Sequence, residues 1–378
     1  MWEIRREIIH GGMDAPEYKH AVWGMLFLKY RHTVYNHDEK AIYIIKEVLV
    51  MKAVTVKKPG GPEQLEFVEV AAPEPKKGEL LVRVHAAAVN RTDIITREGK
   101  VGYAENPILG VEIAGTVVEA NGDRSFSAGD RVMGLVNGGG YAEFAVMPAD
   151  RAMKIPESLS IEEAAAIPEV FLTAYQTLFW IGKLQKQETV LIHAGASGVG
   201  TAAIQLAKKL CDAKVIVTAG SERKLDFCRE LGADVLINYK EQSFDEEVLK
   251  ATDGKGADLI LDFIGADYWE KNLASIRKEG RWVLIGILGG SELEKVNLFS
   301  LMSKCIQLTG TLLTPRSDEY KARLTQEFAE NVTPYFERKE IVPVIDTKFP
   351  LEKVRNAQQH MEENRNIGKI ILEIKDQI

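Results

Sequence analysis

Three glycines within six residues, Gly195, Gly198 and Gly200, stand where an apolar run, TVLIH, gives way to a helical pattern, TAAIQLAKKL. Such a turn can hold a phosphate. The backbone bends tightly and lets the anion approach, and the helix N-terminus aims its free N–H groups at it. The spacing departs from a plain G-x-G-x-x-G, but a second apolar run, KVIVTAG, follows at the distance a strand–helix–strand unit requires. Ala196, Ser197 and Val199 fill the turn and would share the contact. A dinucleotide is the expected ligand.

The end of the second run decides which dinucleotide. NAD enzymes usually carry Asp or Glu there for the ribose 2′-hydroxyl, whereas this chain reads TAGSERK. Gly220 and Ser221 leave room and a donor for a 2′-phosphate, and Lys224 adds a cation one helical turn on. Tyr239, in INYK, is placed to stack or hydrogen-bond nearby. With no carboxylate at that point to repel a phosphate dianion, NADPH is the expected cofactor; Glu222 is the one acid able to face the ribose instead. His193 adjoins the turn and has the pKa for proton transfer, but it closes an apolar strand, where a neutral, hydrogen-bonded core imidazole is expected. No paired Ser/His/Asp or Cys/His arrangement supports a nucleophilic mechanism.

The elements that position these residues change character along the chain. From 51 to about 170 short β-like runs dominate: LLVRVHAAAV, EIAGTVVEA and RVMGLV, separated by PGGPE, GDRSFSAGD and NGGG. From 171 to 314 strands (TVLIHAG, KVIVTAG, ADLILDFIG, RWVLIGIL, CIQLTGTLL) alternate with helical segments such as SERKLDFCRELG and YWEKNLASIRK. Near-continuous apolar strands with helices between them indicate a parallel sheet covered on both faces. A helix (LEKVRNAQQHMEEN) and a strand (KIILEI) close the chain.

Composition sets the outer limits. The chain has 378 residues, enough for two domains, with 46% hydrophobic and 27% charged residues. A net charge of -7 argues against nucleic acid or an anionic membrane as partner. No apolar run reaches the ~18 residues of a membrane span, and no secretory layout opens the chain. The three cysteines, Cys211, Cys228 and Cys305, stand singly, which fits neither a disulfide framework nor a structural zinc. A cytoplasmic protein is expected.

With VNRTDIITREGK, ILGVEIAGTVVEA, GDRVMGL, AAAIPEVFLTAYQTL and HAGASGVGTAAIQLAK in this order, the sequence resembles the medium-chain dehydrogenase/reductases, in their zinc-free quinone oxidoreductase branch. It is most similar to the subgroup of the tumour-suppressor-inducible quinone oxidoreductase, through VTAGSERKL, LILDFIGADYWEKN, GRWVLIG and NIGKI. The resemblance covers 51–378 and implies an α/β fold: a Rossmann doubly wound parallel sheet at 171–314 plus a GroES-like β-rich catalytic domain at 51–170 and 315–378. Zinc-dependent relatives place a cysteine where this chain has Asn90 and a histidine–glutamate pair where it has Val111 and Glu112, so no metal is expected.

The resemblance also implies roles for individual residues. Asn90 would sit by the nicotinamide. A substrate-side tyrosine of the relatives falls at Val101 here, and Tyr103, two residues on, is the candidate replacement. Thr173, Ser197, Ile264, Gly265, Leu288, Leu312, Leu313 and Asn364 would border the cofactor. The implied activity is hydride transfer from NADPH to a quinone by a homodimer or tetramer, with reduction of an enal or enone double bond as the alternative. A non-enzymatic role is the third reading, since relatives of this fold serve as lens crystallin or bind RNA.

Residues 1–50 lie outside the resemblance. They hold four of the seven histidines, and their basic and acidic side chains balance. The stretch MDAPEYKHAVWGMLFLKY suggests a helix near Asp14 and Pro16, so the extension is expected to be helical or poorly ordered. GGMDAPEYKHAVWGMLFLKY resembles the N-terminus of type I restriction-modification methylase subunits, which points to a fusion remnant or an upstream start, with Met51 opening the enzyme.

Overall fold

The computed structural model describes residues 4–8, 31–35, 42–47, 49–100 and 106–375. In the first fifty residues β1 (Ile4–Ile8), β2 (Arg31–Tyr35) and β3 (Ile42–Glu47) pair antiparallel in the order β1-β3-β2. These stretches are therefore strands, not the helical or poorly ordered chain expected. Each carries β-branched or aromatic residues, in RHTVY and IYIIKE above all, which favour a pleated surface. The helix expected near Asp14 lies outside the described residues.

The next segment runs β4 (Val50–Val56), β5 (Leu65–Ala71), β6 (Glu79–Ala88), α1 (Arg91–Arg97), β7 (Glu112–Asn121), β8 (Arg131–Leu135), β9 (Phe144–Pro148) and β10 (Ala152–Lys154). Short helices α2 (Ile161–Ala165) and α3 (Pro168–Tyr175) lead into an alternating series. It comprises β11 (Thr189–Ile192), α4 (Gly198–Cys211), β12 (Lys214–Ala219), α5 (Glu222–Glu230), β13 (Val235–Asn238) and α6 (Phe244–Ala251). It continues with β14 (Ala257–Asp262), α7 (Trp269–Ser275), β15 (Ile276–Leu284), α8 (Leu298–Lys304) and β16 (Gln307–Gly310). Finally come α9 (Asp318–Glu337), β17 (Ile345–Pro350), α10 (Val354–Glu362) and β18 (Lys369–Glu373).

The alternating series makes a parallel sheet of order β13-β12-β11-β14-β15-β16. Its central strands are apolar and buried on both faces, as a sheet clothed by helices requires. The winding reverses between β11 and β14, and the crevice beyond their C-terminal ends is where a ligand belongs. A second sheet, β10-β8-β7-β6-β18-β17 with β9 also on β6, is built mostly from the earlier segment. The last strand ties the two sheets together. β18 pairs antiparallel with β6, while Gly368, just before it, bridges to Ser197 and donates its N–H to the Ala196 carbonyl at 2.9 Å.

Asp262, fully buried at the end of β14, braces the crevice. Its Oδ1 accepts from the N–H groups of Ile264 (2.7 Å) and Gly265 (3.1 Å), and its Oδ2 from Asn272 Nδ2 (3.1 Å) and Trp282 Nε1 (3.0 Å). Asn272 Oδ1 in turn lies 2.7 Å from His193 Nε2, and Thr218 Oγ1 lies 3.0 Å from Nδ1. The chain of donors makes His193 the Nε2–H tautomer and neutral, and burial holds its pKa below the usual value against the pull of Asp262. His193 is the core imidazole expected from its place in the strand. An asparagine at 262 would turn a donor towards other donors. Asp262→Asn is expected to lower unfolding free energy by about 3 kcal/mol in urea titrations, with the 264–265 turn loosened.

Candidate active site

The dinucleotide turn follows β11. Ser197 caps α4, its Oγ accepting from Gly200 N–H at 3.1 Å, and Ala194 before it takes a left-handed φ of 49°. A Cβ on Gly200 would sit 2.5 Å from the Ala194 and Gly195 carbonyls, and one on Gly195 would sit 2.8 Å from Val217 Cβ. Both glycines are thus demanded by helix–strand packing as much as by a ligand. A Cβ on Gly198 would sit 2.9 Å from Val170 Cγ1 on α3 and 3.0 Å from Lys369 Cδ.

At the end of β12 a cavity of about 470 Å³ is lined by Ser221, Arg223, Lys224, Asp346, His360, Arg365 and Ile367. Asp346 is occupied, bonding His360 Nε2 (2.8 Å) and the Ile367 N–H (2.9 Å). Arg365 Nε pairs with Glu363 at 2.8 Å, yet Arg223, Lys224 and Arg365 still outnumber Asp346 and Glu363, a cationic excess suited to a phosphate dianion. Lys224 Nζ reaches the Asn364 carbonyl at 2.7 Å, and Asn364 Oδ1 accepts from Arg91 at 2.5 Å. Tyr239 lies over Gly220, where a Cβ would come within 2.7 Å of its Oη.

The two sheets meet at a buried polar junction. Asn90, before α1, uses both amide hydrogens: Nδ2 donates to Glu112 Oε1 (2.8 Å) and to the Ala88 carbonyl (3.3 Å). Its Oδ1 accepts from Lys369 Nζ at 2.6 Å. Lys369 Nζ also donates to the Val89 carbonyl (3.2 Å) and to Glu112 Oε1 in a short ion pair. Glu112 Oε2 accepts from the Glu169 N–H at 2.8 Å, at the start of α3. Asn90 thus holds Glu112 and Lys369 together.

Two more acids flank the junction. Asp93 Oδ2 accepts from the Asn90 N–H (2.8 Å) and Tyr141 Oη (2.7 Å), yet burial pushes its pKa up to about 7. Glu169 is pushed up to about 8 by burial first and then by the Glu112 carboxylate, with Lys369 opposing. Burial and the Asp93 charge also raise Tyr141.

The structure brings the glycine turn, Ser221, Lys224, Tyr239, Ile264, Gly265 and Asn364 to the crevice side of the parallel sheet. Thr173 lies one turn after Glu169 on α3. Leu288 and Leu312 are 60% and 56% exposed, open to a ligand, but Leu313 is only 5% exposed and packs in the main core. Its side chain is committed to that core, so only its backbone can face a cofactor. Tyr103 lies outside the described residues. Lys369, Arg365, Glu169 and Asp93 were not singled out in the sequence, where each reads as an ordinary charged residue. The one available signal was a lysine opening the largely apolar strand KIILEI.

Fold and site define the architecture of a dehydrogenase, a parallel sheet with a crevice at its switch point beside a second, mostly antiparallel sheet. The family model described as alcohol dehydrogenase GroES-like domain matches residues 76–157, and that of zinc-binding dehydrogenase matches 198–330. The chain is 33% identical over 333 residues to a human quinone oxidoreductase, covering 85% of this chain and 98% of that one. It is 32% identical over 349 residues to the human synaptic vesicle membrane protein VAT-1 homolog-like, covering 86% and 81%. A solved quinone oxidoreductase of Pseudomonas syringae superposes with a TM-score of 0.78 at 31% identity, covering 85% of this chain and 99% of that one. A mycobacterial protein complexed with NADPH gives 0.77 at 30% (85% and 99%), and the CurK enoyl reductase 0.76 at 26% (86% and 99%). The chain belongs to the quinone oxidoreductase-like medium-chain dehydrogenase/reductases.

The raised acids have a consequence for stability. Between about pH 4 and 8 the folded chain keeps protons on Asp93 and Glu169 that the unfolded chain has released, so stability falls as pH rises through that window. Glu169→Gln mimics the protonated form. It is expected to match the parent at pH 5 and to exceed it at pH 8.5 in urea titrations.

Proposed function

We propose that the protein is a cytoplasmic NADPH-dependent quinone reductase that transfers hydride without zinc. The observation that carries this reading is the cationic cavity of Arg223, Lys224 and Arg365 at the end of β12, with Ser221 beside it and no unpaired acid. It suits a 2′-phosphate, and the glycine turn suits a pyrophosphate. NADPH would supply the hydride. Ser221, Lys224 and Arg365 would hold the phosphate end, and Ile264, Gly265, Leu288 and Leu312 would border the nicotinamide end.

Zinc does not fit the residues present. The positions that carry ligands in zinc-dependent relatives hold an amide bonded at both ends (Asn90), a buried aliphatic (Val111) and a carboxylate paired with Lys369 (Glu112). Thiolate and imidazole donors are missing from these positions. The protein's task is then alignment and exclusion of water, with the reacting atoms held ~3–3.5 Å apart. A reduced quinone leaves as phenolates that solvent can protonate. The similarity to quinone oxidoreductases supports a quinone. The similarity to an enoyl reductase favours a second reading, reduction of an enal or enone.

Steady-state oxidation of NADPH and NADH, with an ortho-quinone and then a conjugated enal, tests the proposal. Turnover of the quinone with NADPH preferred is expected; turnover of the enal alone moves the function to double-bond reduction. Inactivity with both acceptors, together with salt-sensitive retention on RNA, would make a binding role the answer. Lys224→Ala is expected to weaken NADPH about tenfold or more while leaving NADH unchanged.

We also propose a homodimer. β16 is an open edge strand exposed at every residue, beside α8 with Leu298, Phe299 and Met302 at 65%, 72% and 71% exposure. Edge pairing with a second copy would cover both. Light scattering is expected to give twice the mass of one chain, and Leu308→Pro on β16 to halve it.

A further inference from the structure

We propose that Lys369 is a positioning residue of the active site: its buried ammonium is the fixed cation that orients Asn90 and Glu112 and ties them to the dinucleotide turn. This rests on the reading that hydride transfer takes place beside Asn90. Lys369 is 3% exposed and Glu112 fully buried. All three ammonium hydrogens have acceptors: Asn90 Oδ1, Glu112 Oε1 and the Val89 carbonyl. No hydrogen remains for a substrate, so Lys369 acts through Asn90.

The stem of the same side chain runs against Gly198, and the preceding residue is bonded to the turn through Gly368 N–H and Ala196 O. Glu112 carries the connection on, accepting the Glu169 N–H at the start of α3, four residues before Thr173. Three strands of the second sheet, β6, β7 and β18, thus converge on one charge, with the turn after β11 of the parallel sheet against its stem. Because the amide Nδ2 already points at Glu112, the ammonium on Oδ1 fixes which way round Asn90 sits. A flip would set the NH₂ group against the ammonium. The interaction therefore determines which atom of Asn90 is presented beside the turn.

The test separates positioning from simple stability. Removing one partner leaves a buried charge alone, so Lys369→Met and Glu112→Gln singly are each expected to lower Tm by about 10 °C. The double variant removes both charges and should recover to within about 5 °C of the parent. That thermal cycle is a readout independent of turnover. In the recovered double variant NADPH affinity, by fluorescence titration, is expected within about threefold of the parent, while kcat falls at least tenfold with the better acceptor. Additive Tm losses in the double variant, or a double variant with parental kcat, overturns the proposal. Should the parent itself prove inactive with both acceptors, the function reading fails, whereas the thermal cycle still decides whether Lys369 and Glu112 act as a pair.

Discussion

The approach of Gly368 to the Ala196–Ser197 turn is the constraint on which the rest of the site depends. Gly368 has a φ of 78°, and any side chain there would run into Val344, so only glycine lets the final strand pass this close. Because β18 also pairs with β6, this one backbone contact fixes the distance between the glycine turn and the sheet that carries Asn90. The next residue, Lys369, then turns a geometric contact into an electrostatic one. Its ammonium is buried without being stranded, since a carboxylate, an amide oxygen and a carbonyl all face it.

The acids around that cation divide by environment. Glu112 is paired with Lys369, while Asp93 and Glu169 sit in low-dielectric surroundings near another carboxylate and hold their protons up to about pH 7 and 8. The junction therefore carries far less net negative charge at neutral pH than its count of carboxyl groups suggests. That suits the proposed binding of an anionic dinucleotide a few residues away. In the proposed reading the cationic cavity of Arg223, Lys224 and Arg365 would draw in the phosphate end, and the near-neutral junction would not repel the other.

Much of this was legible in the chain because it is local. The glycine turn, Ser221 and Lys224 lie within thirty residues and follow strand and helix periods that short-range patterns report. The core character of His193 could be read from its place at the end of an apolar run. The junction could not be read so. Lys369 and Glu112 are 257 residues apart in sequence, and Arg365 reaches the Lys224 cavity only because α10 and β18 return to the switch point. Leu313 resisted for the opposite reason: an exposed neighbour, Leu312, shares its sequence character, and only tertiary packing separates the two. The strands of the first fifty residues were hidden by charges interleaved with their β-branched positions.

Hydrogen–deuterium exchange with and without NADPH tests the central claim, that one cofactor is held jointly by both sheets, most directly. Protection should arise together at 194–201, 220–225 and 264–265 on the parallel sheet and at 364–369 on the returning strand. Protection confined to the parallel-sheet segments, with 364–369 exchanging as in the free protein, would contradict it.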